Sequence, residues 1–116
     1  MKDRVNVLIK LLFDNSASIT ERDEAATILG EFSDARAIRA LLSKAKDLNE
    51  NELVLNSCGE SLGAIWAKQN FFDEEAYHAL LGTARYGVYV VIKHRKPEWL
   101  EKYHLEEDEF LNKFNK

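Results

Sequence analysis

What most constrains this 116-residue chain is an internal repeat in its apolar residues. A Leu-Leu pair closes three similar segments, Val5 to Leu12, Ala35 to Leu42 and Glu74 to Leu81, at spacings of 30 and then 39 residues. Each pair ends an amphipathic pattern of helical period: Val5, Leu8, Ile9 and Leu12, then Ile38, Leu41, Leu42 and Ala45, then Ala76, Ala79, Leu80 and Ala84. Between them lies a second kind of helix marked by Leu-Gly near its end. Leu29-Gly30 falls within Glu21 to Phe32, and Leu62-Gly63, 33 residues on, within Glu52 to Trp66. Glycine inside or closing a helix costs about 1 kcal/mol against alanine. Its recurrence therefore points to tight packing between neighbouring helices or a turn needing positive φ, and we read it as a hairpin joint.

Capping residues agree with these boundaries. Thr20 before Glu21-Arg22-Asp23, Asn49 before Glu50-Asn51-Glu52, and Asp73 before Glu74-Glu75 predict three helix starts, because a side-chain oxygen there accepts a free backbone N–H and the carboxylates suit the positive helix end. Pro97 suits the first position of a further helix through Trp99, Leu100 and Tyr103. Tyr86 to Ile92 is β-branched and aromatic, the composition of a buried strand. A lone strand has no partner, so this segment is read as the buried helix of the last hairpin.

A chain of this length is one domain and buries roughly 65% of the surface its unfolded form exposes. Its longest uncharged apolar stretch, Val88 to Ile92, is far too short to span a bilayer, and no membrane partner is expected. Asp14-Asn15 follows the apolar N-terminal segment where a signal peptide needs small residues, and Cys58 is the single cysteine. Both features favour a reducing, cytoplasmic setting. Twenty acidic against sixteen basic residues give a net charge of -4, which argues against nucleic acid and for a basic partner. The charge is uneven: Arg85, Lys93, Arg95 and Lys96 form a basic stretch, and Glu98, Glu101, Glu106, Glu107, Asp108 and Glu109 an acidic one.

From Glu24 to Leu42 the chain reads EAATILGEFSDARAIRALL, an alanine-rich helix, Leu-Gly, a short turn with an aspartate, and a second helix ending in Leu-Leu. This closely resembles a HEAT repeat of the short bacterial type. Residues 52–81 resemble it more loosely, with Cys58-Gly59 where alanines are usual and an insertion around Lys68-Gln69-Asn70. The resemblance covers about 80 residues and fades after Arg85. It implies an all-α fold, a short right-handed α-solenoid of two to three HEAT-like hairpins. Residues 1–116 then form a single domain, with the clearest repeats at 21–47 and 50–85 and capping helices over 86–116. Proteins of this kind generally bind other proteins along the face formed by each hairpin's second helix. Some relatives are chromophore-attaching lyases.

Chemistry is hard to find in the residues. His78, His94 and His104 lie on separate predicted elements and none belongs to a His-Glu-x-x-His motif, so no metal or other cofactor is expected. Cys58 sits where the repeat keeps a small core residue, and Ser57, Ser61 and Thr83 lie in no nucleophile turn. No catalytic residue is assigned. Tyr77, beside the Ala76 and Leu80 row, is the candidate exposed anchor next to Arg36 and Arg39 of the preceding hairpin, since tyrosine among charges is a common interface anchor. Glu74 and Glu75, with Glu106, Glu107 and Glu109, supply the acidity for a basic partner. The expected function is protein binding without catalysis, most concretely by an immunity protein that covers a basic bacterial toxin domain such as a nuclease. A small adaptor or assembly protein, or a subunit of the chromophore-lyase kind, is the alternative.

Overall fold

The computed structural model describes residues 3–106. It is all-helical, with 71% of these residues in helices and no strand among them. Seven helices follow in order: α1 Arg4–Leu12, α2 Ile19–Leu29, α3 Ala35–Ala45, α4 Glu52–Gln69, α5 Glu74–Ala79, α6 Gly82–Arg95 and α7 Glu98–Lys102. Tyr86 to Ile92 lies inside α6, as its lack of a strand partner predicts.

The helix starts show which local signals win. At α2 the cap is Ser18 rather than Thr20: its hydroxyl accepts from Glu21 N–H at 3.0 Å while the Glu21 carboxylate accepts from Ser18 N–H at 3.1 Å, a reciprocal capping box. At α4 the cap is Asn51, which accepts from Leu53 N–H at 2.8 Å. Asn49 instead donates its backbone N–H to Asp47 at 3.0 Å in a loop turn. Asp73 caps α5 as expected, and Pro97 immediately precedes α7. α4 ends at Asn70, whose left-handed backbone (φ 56°) lets Phe71 N–H reach back to the Trp66 carbonyl.

The third Leu-Leu pair does not close a helix. α5 stops at Ala79, Leu80 is extended and fully buried, and Leu81 is 61% exposed. Gly82, at φ +55°, turns the chain into α6 immediately afterwards. Ala79, expected in the buried row, faces solvent, because so short a helix leaves the core to Tyr77 and Leu80.

α4 is the centre of the fold. Its 18 residues span about 27 Å, and it packs against α2, α3 and α6, while α1 packs on α2 and α3. Asp23 meets Ser57 and the Ala26 carbonyl meets Ser61, so residue numbers climb together and α2 runs parallel to α4. Gly59 faces Ala84 and Gly63 faces Val88 and Val91, so α6 runs parallel to α4 as well. α3 and α5 are the return helices. α2 and α3, which the sequence pairs as one repeat, touch far less than either touches α4. No described helix is long and apolar enough to cross a membrane.

Candidate protein-binding surfaces

Both Leu-Gly pairs mark close approach, and of the two only Leu29-Gly30 also stands at a helix joint, between α2 and α3. Gly30 caps α2 with ordinary helical angles, and a Cβ there would lie 2.5 Å from Ser61 Oγ. Gly63 is internal to α4, and its Cβ would stand 3.0 Å from Val91 Cβ. Gly59 is tighter still, since a Cβ would come within 2.0 Å of the Ala84 carbonyl oxygen.

Between α2, α4 and α6 an open groove of about 750 Å³ is floored by Thr27, Gly30, Ser57, Ser61 and Ala64, with Glu31, Glu60, Lys68 and Arg95 among its walls. Its hydroxyls are already engaged: Ser57 donates to Asp23, and Ser61 donates to the Ala26 carbonyl at 2.7 Å. Cys58 is fully buried beneath it. Burial pushes its thiol up to about 12, with Glu50 and Asp23 adding to the rise against Lys44. It is a neutral thiol, inert as a nucleophile. Among the described residues no three His, Cys, Asp or Glu side chains gather to hold a metal ion.

The expected binding residues are dispersed. Arg36 and Arg39 are exposed on α3, which packs on α4 and α1, whereas Glu74 and Glu75 are exposed on α5, which packs on α6. Arg36 is held by Asp3 and by Asp34, the latter at 2.8 Å, and its guanidinium keeps both carboxyls below their usual range. Glu106 is exposed, while Glu107 and Glu109 lie outside the described residues.

Tyr77 requires a correction. It is 4% exposed and packs its ring 5.3 Å from Phe72, so it is no surface anchor beside Arg36 and Arg39. The reason is Phe72, which also stacks near Trp66, Trp99 and Tyr103 at 5.6, 5.5 and 4.8 Å. This aromatic cluster ties α5 and α7 to the end of α4. As a result the exposed Glu74 and Glu75 of α5 and Glu98 and Glu101 of α7 ride on two short helices joined through one core.

Sequence reasoning missed a buried ion cluster at the other end of α4. The Glu50 carboxylate takes both oxygens' worth of hydrogen bonds from Arg22 and lies 3.1 Å from Lys44 Nζ, with Asp47 at 3.9 Å from the same ammonium. Lys44 and Glu50 side chains are only 6% and 4% exposed. A signal was available, since Lys44 falls at helical spacing from Ala37 and Leu41 on the buried face of α3. Lys44 also stands 4.6 Å from the centre of the Phe13 ring. Comparison with protein-family models, with curated proteins and with solved structures finds no match to the chain.

Proposed function

We propose that the chain is a protein-binding module without catalytic activity, a short right-handed α-solenoid of HEAT-like hairpins. In its most concrete form it is an immunity protein that neutralises a basic toxin domain by covering it. The parallel run of α2, α4 and α6 with α3 and α5 as returns supports the solenoid reading, because stacked hairpins repeat one helix direction in each layer. The observation that carries the binding reading is the Phe72 cluster. By joining α5 to α7 it sets two acidic first turns on one rigid end of the molecule. Fixed carboxylates of this kind speed encounter with a positively charged surface and select against acidic partners.

The test is capture from native lysate by the wild-type chain and by a variant with Glu74, Glu75, Glu98 and Glu101 all changed to Gln. The expected result is a basic protein that the wild type retains at low salt, that the variant loses, and that arrests growth when expressed without the wild-type chain. A partner held equally by both proteins at low and high salt would remove the electrostatic reading.

A further inference from the structure

We draw no further inference here: the strongest candidate, the open groove between α2, α4 and α6 floored by Thr27, Gly30, Ser57, Ser61 and Ala64, is a stripe of small residues whose hydroxyls all bond within the chain, and nothing in the structure shows what covers it.

Discussion

α4 is flanked by two parallel neighbours, and the two interfaces are made by different means. Toward α2 the contact is polar: Ser57 bonds to Asp23, Ser61 to the Ala26 carbonyl, and at the loop end Arg22 and Lys44 close on Glu50. Toward α6 it is made by absence of side chains, with Gly59 and Gly63 of α4 and Gly87 of α6 bringing the backbones together. A hydrogen-bonded interface tolerates a change of a few tenths of an ångström and fails when a partner is removed. A glycine interface has nothing to remove and fails when an atom is added.

The largest effect should come from breaking the polar side at its most buried point. Glu50→Ala leaves the Arg22 guanidinium without its Glu50 ion pair and Lys44 with only Asp47, 3.9 Å away, and should cost about 3 kcal/mol in urea unfolding. Desolvation by itself would raise the Glu50 pKa, but Asn51 N–H, Arg22 and Lys44 outweigh it and hold the carboxyl below its ordinary 4.5. A depressed folded-state pKa means that this stabilisation is present above about pH 4.5 and is lost as pH falls through the lower folded value. The wild type should therefore lose more stability than Glu50→Ala on acidification below that point. If the two pH profiles run parallel, Glu50 is not the clamp.

On the other side, Gly59→Ala should cost about 3 kcal/mol, since its Cβ would meet the Ala84 backbone oxygen at 2.0 Å and a helix must move. Thermal unfolding followed by circular dichroism measures it, and a near-neutral result would mean that α4 and α6 sit farther apart. Ser61→Ala should cost only about 1 kcal/mol for one lost hydrogen bond. Gly63→Ala sharpens the contrast further: its nearest neighbour is the Val91 side chain at 3.0 Å, and alanine's gain in helix propensity offsets the crowding, so the net change should stay within about 1 kcal/mol. A loss as large as that of Gly59→Ala would show one uniformly tight interface instead of a single pinch. The smallest effect is chemical. Cys58, between the two interfaces, should resist maleimide at mildly alkaline pH until the protein unfolds, and rapid labelling of the native chain would show that α4 opens locally.

Much of this was readable in the residues. The helical nature of the Tyr86 to Ile92 segment followed from its having no strand to pair with, and Leu41 and Leu80 are fully buried as their rows require. The Leu-Gly pairs were read as hairpin joints: Leu29-Gly30 does end α2, but Leu62-Gly63 is mid-helix, and what the two share is tight packing. Cap choice was less legible, because Ser18 and Thr20, or Asn49 and Asn51, offer the same oxygen to the same kind of donor. At α2 it is the reach of Glu21 back to Ser18 that decides.

By itself the sequence determined the number and rough limits of the principal helices, since periodicity and capping act over three or four residues and need no knowledge of neighbours. Only the tertiary structure decided which polar and aromatic groups go inside. Lys44 is buried because Glu50 and the Phe13 ring await it, and Arg22 reaches that same carboxylate across 28 residues of sequence. Tyr77 is buried because α5 ends early and Phe72 offers it a ring. Leu48 is held out in water on a loop whose Asp47 and Glu50 both turn toward Lys44. Each outcome depends on a partner distant in sequence, and a side chain's own type states what it can bond to but not what the fold brings within reach.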